Sequence, residues 1–228
     1  MHILVLDYST SRIAIPTIVP HLPRGAEVTS LFIDTQESVP VDLLERQVTH
    51  VIHSGSELSI TEDAPFTDNI STFIRAAHAQ NIPQMGICYG SQLLAKTLFG
   101  ADFIRASPNG FEAGWGTIHF TEHALRELDV RPAEKVWQHH FDEVHPLPPG
   151  AILLASNNHT ETQAFVLPQD RVLGVQFHPE VEREIGNTIF KKDRVLLAKH
   201  GHDLEAIIES GPSFDAGRLF FDYFLKKI

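Results

Sequence analysis

The stretch from Pro83 to Ala95 most narrowly limits what this chain can fold into, because it reads as a short buried strand that turns directly into a helix. The only cysteine of the protein, Cys88, stands at the junction, and Gly86 and Gly90 lie two residues on either side. A sharp strand-to-helix turn pushes out the side chain at its apex and crowds the neighbours two positions away, where glycine relieves the contact. The pattern therefore predicts a tight elbow that presents a thiol.

Residues after the cysteine share one face at helical spacing, namely Leu93, Leu94, Thr97 and Leu98, so we expect a helix to begin just after Cys88. The dipole at a helix N-terminus favours the thiolate, which is the nucleophilic form of cysteine. A lone cysteine is more often a small buried hydrophobe. The flanking glycines and the change from strand to helix favour a nucleophile here, although serine and cysteine hydrolases of several folds share such a turn.

The chain before the elbow alternates apolar runs with helical patterns. Buried parallel strands are predicted at Ile3 to Leu6, Val28 to Ile33 and Val48 to His53. Helices are predicted at Val41 to Gln47 and around Ile70 to Ala77, whereas prolines interrupt any helix between Arg12 and Arg24. Alternating strands and helices with short connections predict an α/β fold with a mostly parallel central sheet and helices on both faces.

After Phe99 the pattern changes to closely spaced strands and then to helices. Strands are predicted at Ala101 to Ala106, Gly116 to Phe120, Glu134 to Gln138, Ala151 to Ser156, Thr162 to Leu167 and Val172 to Phe177. Most of them leave no room for crossover helices, so we expect an additional antiparallel region. Helices follow at Val181 to Phe190, Val195 to His200, Leu204 to Ile208 and Phe214 to Lys227. No linker is evident, so we expect a single domain over 1–228, in which 180–228 form a helical C-terminal extension.

Composition excludes several classes of function. The 228 residues carry 18 Lys and Arg against 29 Asp and Glu, a formal charge of −11, which argues against nucleic acid or an anionic membrane as partner. No apolar run reaches membrane length, and the N-terminus reads as a first strand and not as a signal peptide. One cysteine excludes an intrachain disulfide, which fits a reducing compartment, so we expect a cytoplasmic protein.

A cysteine nucleophile needs a base and a group that orients the base, and His178 with Glu180 fits both roles by position. His178 ends the apolar run Val172 to Phe177 and precedes Pro179. Alternate residues of an extended chain point the same way, so His178 and Glu180 can share one side. Proline cannot continue a sheet ladder, which places the pair at a strand end. A surface histidine that closes a strand is equally compatible with the spacing alone.

Two motifs together resemble the signatures of class I glutamine amidotransferase domains of the triad type, namely Gly86-Ile-Cys-Tyr-Gly-Ser-Gln92 and Gly174-Val-Gln-Phe-His-Pro-Glu180. The resemblance extends over most of the chain, from Ile3 to Glu180. Within this family the chain resembles the glutaminase domain of GMP synthetases and free-standing relatives. It implies a flavodoxin-like fold.

The resemblance also implies roles for the residues that match the two motifs. Cys88 would be the nucleophile, His178 the general base and acid, and Glu180 the carboxylate that orients the imidazole. Gln92 corresponds to the glutamine that helps to bind substrate in the family.

The loop His53-Ser-Gly-Ser-Glu57 matches the glycine-rich oxyanion loop of the same family. The N–H groups of Gly55 and Tyr89 would then form the oxyanion hole. Many members have Gly-Gly-Pro where this chain has Ser-Gly-Ser.

The stretch Val136-Trp-Gln-His-His-Phe-Asp142 resembles the family segment that lines the α-amino and α-carboxylate end of the substrate. This likeness implies substrate-binding roles for Gln138, His139 and Phe141, although the position of Phe141 is often glycine in the family.

These observations predict an enzyme that cleaves the γ-amide of glutamine through a cysteine γ-glutamyl thioester and releases glutamate and ammonia. One alternative is a free-standing hydrolase of γ-glutamyl compounds, and another is a non-catalytic regulatory module, which the intact Cys-His-Glu set disfavours. The thiol mechanism needs no cofactor, and the pairs His139-His140 and His200-Gly-His202 lack the spacing of a metal site. The expected partners are a small-molecule substrate and a synthetase that accepts the ammonia as a second subunit.

Overall fold

The structure, a computed structural model, describes residues 1–34, 44, 47–212 and 217–228 of the chain. Its strands are β1 (His2–Asp7), β2 (Glu27–Phe32), β3 (His50–His53), β4 (Gln84–Ile87), β5 (Ile104–Ala106), β6 (Glu112–Phe120), β7 (Ala133–His140), β8 (Asp142–Val144), β9 (Ile152–Ser156), β10 (Ala164–Leu167) and β11 (Val172–Val175). One mixed sheet has the order β2-β1-β3-β4-β11-β10-β9-β6-β7, and β5 pairs separately with β8.

The helices lie between and after these strands. They are α1 (Ala14–Ile18), α2 (Thr67–Ala79), α3 (Tyr89–Phe99), α4 (Glu122–Glu127), α5 (Arg183–Lys192), α6 (Arg194–Lys199), α7 (Leu204–Glu209) and α8 (Gly217–Lys227). Among the residues that the structure describes, every helix is too short or too polar to span a membrane.

The strands β2, β1, β3, β4 and β11 are parallel to one another. Every residue of β1 is buried, as expected for a parallel strand covered on both faces. The carboxyl ends of β3, β4 and β11 meet at one edge, where ligands bind in open α/β sheets. His53 ends β3, Cys88 follows β4, and His178 follows β11 at this edge.

The core is divided by the sheet into two layers. Ile3 and Val5 of β1 join the core under α1, α4 and α8, whereas Leu4 and Leu6 join the core under α2 and α3. This alternation is the two-residue period of a strand buried on both faces. Packing on both faces holds the parallel strands in place. It thereby also positions the sheet edge at which the chain turns at Cys88.

A third apolar cluster joins the antiparallel end of the sheet to α5, α6 and α7. Its buried members are Phe111, Trp115, Trp137, Val181, Phe190, Leu197 and Ile207. Gly186 of α5 lies against the Trp137 ring, since a Cβ there would come within 2.6 Å of Cδ1. The C-terminal helices are therefore packed closely on β7, the strand that carries residues 137–140.

The predicted fold class is confirmed, and so is the antiparallel region, in which β10, β9, β6 and β7 extend the parallel sheet while β5 and β8 form a separate pair. Two elements were missed. Helix α4 is a short turn of helix that begins after Thr121, whose hydroxyl accepts the Ala124 N–H at 3.3 Å. Strand β8 has three residues, too few for a period to be visible in the sequence.

Other boundaries differ in their details. The run predicted as a strand over Ala101 to Ala106 begins as a 3₁₀ turn, Ala101–Phe103, and only its second half is β5. The helix predicted at Val41 to Gln47 falls largely outside the described residues, as does the start of the one predicted at Phe214 to Lys227.

We expect Phe220→Ala to lower the free energy of unfolding by about 3–5 kcal/mol, because it removes a fully buried ring that packs on Phe177 and Phe120. Denaturant unfolding followed by circular dichroism measures this change. Leu125→Ala, on the exposed side of α4, is the control and should shift stability by no more than about 0.5 kcal/mol. Equal losses in both variants would contradict the assignment of α8 to the core.

Candidate active site

Cys88 occupies a sharp turn between β4 and α3, as the elbow motif predicts. Its φ of 49° and ψ of −109° put a residue with a Cβ in a costly region of backbone space. A Cβ on Gly86 would lie 2.5 Å from the Ser91 nitrogen, and one on Gly90 would lie 2.2 Å from the His53 carbonyl oxygen. Both clashes are with backbone atoms, so glycine is required on each side of the cysteine.

His178 lies beside Cys88, and Glu180 lies behind the imidazole. Nδ1 of His178 is 2.7 Å from Oε1 of Glu180, and Cys88 and His178 line the same cavity. Trp137 packs against the same ring edge-on, with 4.9 Å between centroids. The backbone carbonyl of Trp137 also accepts the backbone N–H of His178 at 3.0 Å. The structure thus brings together the three side chains that the motifs group.

The surroundings of His178 keep its ring protonated. Burial, the largest single effect, lowers its pKa, but the charges of Glu180 and Cys88 and hydrogen bonds to both side chains raise it to about 10. An imidazolium between a sulfur and a carboxylate is the arrangement of an activated thiol. The buried His53 differs, because burial lowers its pKa to about 4 and Gln84 holds it at 3.0 Å as a neutral structural group.

Two backbone N–H groups beside the elbow, those of Gly55 and Tyr89, have no hydrogen-bond partner in the part of the chain that the structure describes. Tyr89 is the first residue of α3, whose N–H has no acceptor within the helix. The Ser54 carbonyl accepts the Gly90 N–H at 3.0 Å, which fixes the peptide that carries the Gly55 N–H. A Cβ on Gly55 would lie 2.6 Å from Cε1 of His178, so this loop contacts the imidazole.

The Ser-Gly-Ser form of the loop has a structural explanation. Oγ of Ser54 accepts the Tyr8 N–H at 2.9 Å and donates to the Gly55 carbonyl at 2.8 Å. Oγ of Ser56 donates to the Tyr8 carbonyl at 2.9 Å and accepts the Leu58 N–H at 3.1 Å. The two serines therefore hold both backbone polar groups of Tyr8 and tie the loop to the end of β1.

Gln92 lines the cavity next to Cys88, but its amide nitrogen already has partners. Nε2 donates to the Asp142 carbonyl at 2.7 Å and to Oε1 of Gln176 at 3.0 Å. The Gln176 amide donates in turn to the Cys88 sulfur at 3.5 Å. Gln92 thus links the elbow to the turn at Asp142. Sequence reasoning missed Gln176, although its place two residues before His178 in the second motif was a usable signal.

His139 and Phe141 both line the cavity, and aromatic contacts hold them. The His139 ring stacks on Trp137 with 5.2 Å between centroids, and Phe141 stacks on Phe111 at 4.3 Å. His200 packs against Phe141 as well, at 5.2 Å, which connects this wall to the end of α6.

Gln138 is not brought to the cavity. Its side chain is fully buried, and Nε2 donates to Oε1 of Gln163 at 2.9 Å. Neighbouring residues of a strand point to opposite faces, so Gln138 lies on the other side from Trp137 and His139. The structure gives Gln138 a supporting place within the sheet and no contact with the cavity.

A buried polar network around Glu112 holds His140, which also lines the cavity. Glu112 accepts hydrogen bonds from His140 at 2.9 Å, Gln163 at 2.9 Å and Asn157 at 2.6 Å. Burial raises the pKa of Glu112, but the hydrogen bonds from His140 and Asn157 and the charges of His140 and His159 outweigh that effect and lower it. Nδ1 of His140 lies 3.0 Å from the Asp142 carbonyl. Sequence reasoning missed Glu112, because nothing local marks a carboxylate that is satisfied by distant residues.

These groups border a cavity of about 480 Å³. Its wall includes the loop after β1, residues 55–59, the elbow, residues 137 and 139–142, and four side chains from α5, α6 and their junction: Ile189, Lys192, Asp193 and Leu196. Within the described residues, no group of three or more His, Cys, Asp or Glu side chains could hold a metal ion.

We expect His178 to titrate near pH 10, and Glu180→Gln should lower its pKa because the variant removes the nearest stabilising charge. NMR titration of isotope-labelled histidines measures both values. Since folding raises this pKa above 6.5, the imidazolium stabilises the fold fully below about pH 6.5, and this contribution is lost as pH rises towards 10.

His53 is the internal control for this titration, since its pKa of about 4 should be the same in both proteins. A wild-type His178 that titrates near 6.5, or a pKa that does not change in Glu180→Gln, would contradict the thiolate–imidazolium arrangement.

Known proteins resemble this chain in sequence as well as in fold. A family model described as glutamine amidotransferase class-I matches residues 21–196. A glutamine-hydrolyzing GMP synthase subunit from Sulfolobus acidocaldarius is 39% identical over 147 residues, which cover 64% of this chain and 75% of that protein. The glutamine-hydrolyzing GMP synthase of Prochlorococcus marinus is 31% identical over 199 residues, 86% of this chain but only 35% of that longer protein.

Solved structures show the same fold. A glutamine amidotransferase from Thermotoga maritima superposes with a TM-score of 0.79 at 21% identity, covering 100% of this chain and 97% of that one. A glutamine amidotransferase from Methylobacillus flagellatus gives a TM-score of 0.78 at 21% identity, over 98% and 94% of the two chains. The family model matches well over half of the sequence, and the Sulfolobus protein is matched over three quarters of its length. The chain therefore belongs to the class I glutamine amidotransferase family.

Proposed function

We propose that this enzyme hydrolyses the γ-amide of glutamine to glutamate and ammonia, with Cys88 as nucleophile, His178 as general acid and base, and Glu180 as the orienting carboxylate. The observation that supports this most is the grouping at the sheet edge: a cysteine on a strained elbow, an imidazole whose pKa the cysteine and a carboxylate raise, and that buried carboxylate 2.7 Å from the ring.

The first step is attack of the Cys88 sulfur on the amide carbon, which forms a C–S bond and moves negative charge onto the carbonyl oxygen. The free N–H groups of Gly55 and Tyr89 are the donors available to that oxygen. Removing one such donor typically costs about 3 kcal/mol of transition-state stabilisation. Because Ser54 and Gly90 hold the Gly55 peptide, this donor needs little rearrangement during the reaction.

The second step breaks the C–N bond. The His178 imidazolium gives its proton to the departing nitrogen, so ammonia leaves and a γ-glutamyl thioester remains on Cys88. The ring, now neutral, accepts a proton from a water whose oxygen attacks the thioester carbon. The C–S bond then breaks, which returns the sulfur to Cys88 beside the imidazolium and releases glutamate. Glu180 holds the tautomer of the ring and stabilises its charged form throughout.

The glutamyl portion of the substrate lies, in this proposal, along the wall formed by His139 and Phe141. Gln92 acts on this wall by holding the Asp142 carbonyl at 2.7 Å, in addition to lining the cavity. Gln138 has no direct part, because its side chain is committed to Gln163.

We further propose that the whole chain is one amidotransferase domain that includes its C-terminal helices, and that a separate synthetase consumes the ammonia. The Sulfolobus relative is named as one subunit of a GMP synthase, which supports such a partner.

A free-standing hydrolase of γ-glutamyl compounds is the second candidate. The cavity of about 480 Å³ supports it, since this volume falls within the range of roughly 300–1,000 Å³ typical of drug-sized ligands. Its lining also continues to Ile13 and Val181, which leaves apolar space for a leaving group larger than ammonia.

Cys88→Ala should abolish glutamine hydrolysis, because it removes the atom that forms the thioester, while the melting temperature should change little. Glutamate formation in a coupled assay measures the loss. Thr97→Ala, on the same helix but away from the cavity, is the control and should keep activity. Hydrolysis that persists in Cys88→Ala would show that another residue is the nucleophile.

The purified chain alone distinguishes the two candidates. If it feeds a synthetase, its glutamine turnover should be slow and should rise when an ammonia-accepting GMP synthetase is added. If it is a free-standing hydrolase, it should cleave a γ-glutamyl dipeptide unaided at about 1 s⁻¹ or more. Fast cleavage of the dipeptide with glutamine ignored would overturn the glutaminase proposal.

A further inference from the structure

The junction of α5 and α6 contributes two consecutive residues of opposite charge to the cavity wall. Lys192 ends α5 and Asp193 follows it, and both residues line the cavity. Among the described residues, Lys192 is the only lysine or arginine in that lining, and its ammonium has no ion-pair or hydrogen-bond partner there. A free cation next to a carboxylate matches the two charges of an amino-acid head group.

Asp193 occupies the position of an N-cap for α6 but does not serve as one. An aspartate at an N-cap normally accepts an N–H of the first turn, which stabilises the helix by about 1 kcal/mol. Here the side chain makes no such bond. Its Oδ2 lies instead 3.2 Å from Nε2 of His139, and that nitrogen has no partner of hydrogen-bond geometry. The acceptor capacity of Asp193 therefore remains available on the cavity side.

His139 does not neutralise this carboxylate at neutral pH. Burial, the largest effect, lowers the pKa of His139, and the charge of His178 lowers it further, while Asp193 only partly opposes them. The ring is consequently uncharged near pH 7. The Asp193 side chain is 34% exposed, so its oxygens remain accessible beside this uncharged ring.

Aromatic packing fixes where these charges lie relative to the reacting atoms. Trp137 contacts the rings of His178 at 4.9 Å and of His139 at 5.2 Å, so it lies between them. Asp193 is adjacent to His139, with Oδ2 3.2 Å from Nε2 of the ring. The charged pair therefore borders the wall assigned to the glutamyl portion of the substrate.

We propose that Asp193 and Lys192 form a head-group subsite, in which Asp193 binds the α-ammonium and Lys192 the α-carboxylate of the γ-glutamyl substrate. The subsite rests on the proposed hydrolysis of glutamine or γ-glutamyl compounds. It makes the C-terminal helices a source of specificity in addition to their packing role. A substrate that lacks one of the two charges then binds more weakly, because it leaves Asp193 or Lys192 without its partner.

Asp193→Asn and Lys192→Met should each raise KM for L-glutamine roughly tenfold with kcat nearly unchanged, because each removes a charge-assisted contact present in ground and transition states alike. Glu184→Gln and Lys191→Met are the matched controls, since both change the same charges on α5 outside the cavity. They should leave KM unchanged.

Two analogues identify which charge each residue binds. 4-Carbamoylbutanoate lacks the α-ammonium and 4-aminobutanamide lacks the α-carboxylate, and each is measured as a substrate or, where it is not hydrolysed, as a competitive inhibitor. Asp193→Asn should leave the constant for 4-carbamoylbutanoate unchanged, and Lys192→Met should leave that for 4-aminobutanamide unchanged. γ-Glutamylalanine is a third substrate, because its leaving group is an amino acid with a carboxylate of its own. It shows whether the pair binds the glutamyl head group or the leaving amino acid.

The subsite would be refuted if a variant weakened binding of glutamine and of the analogue that lacks the corresponding charge equally. A decrease confined to kcat, or no loss at all, would refute it as well. A loss seen with γ-glutamylalanine but not with glutamine would overturn it too, because the pair would then bind the leaving group. A wild-type enzyme that hydrolyses neither glutamine nor γ-glutamylalanine would refute the proposed function itself, and the subsite with it.

Discussion

The close crossing of the elbow over the end of β3 is the constraint on which the site depends. Gly90 approaches the His53 carbonyl so tightly that a Cβ would lie 2.2 Å from it, and the Gly90 N–H also binds the Ser54 carbonyl. This one crossing forces Cys88 to a φ of 49° and orients the loop that carries Gly55. The strain at Cys88 is sustained because the buried strand β4 before the turn and the buried first turns of α3 after it are both fixed by packing.

Electrostatics adds a second requirement, because a buried carboxylate and a buried imidazole are costly unless each stabilises the other. Glu180 is 3% exposed and lies 2.7 Å from His178, and both Glu180 and Cys88 raise the pKa of the ring. The protonated ring is therefore the stable form at neutral pH, ready both to activate the thiol and to protonate a leaving amine. Losing either partner of the ring would leave a buried charge without compensation.

The parts of the site that could be predicted are those with a local signature. The elbow follows from glycines two residues from Cys88, and the His178–Glu180 pair from a strand end followed by proline. Gln138 misled because alternation along β7 turns it away from the cavity that its neighbours line. Long-range contacts left no mark in the sequence, as with the Glu112 network and with Asp193, which reaches the site only because α5 packs on Trp137 through Gly186.

Transfer of a glutamyl group to Cys88 can be detected by mass spectrometry of the enzyme quenched in acid during glutamine turnover. We expect one added glutamyl group on the peptide that contains Cys88, released by hydroxylamine because it is a thioester. Turnover with the glutamyl group on another residue, or with Cys88 unmodified at every quench time while a thiol reagent at Cys88 fails to stop the reaction, would contradict this transfer.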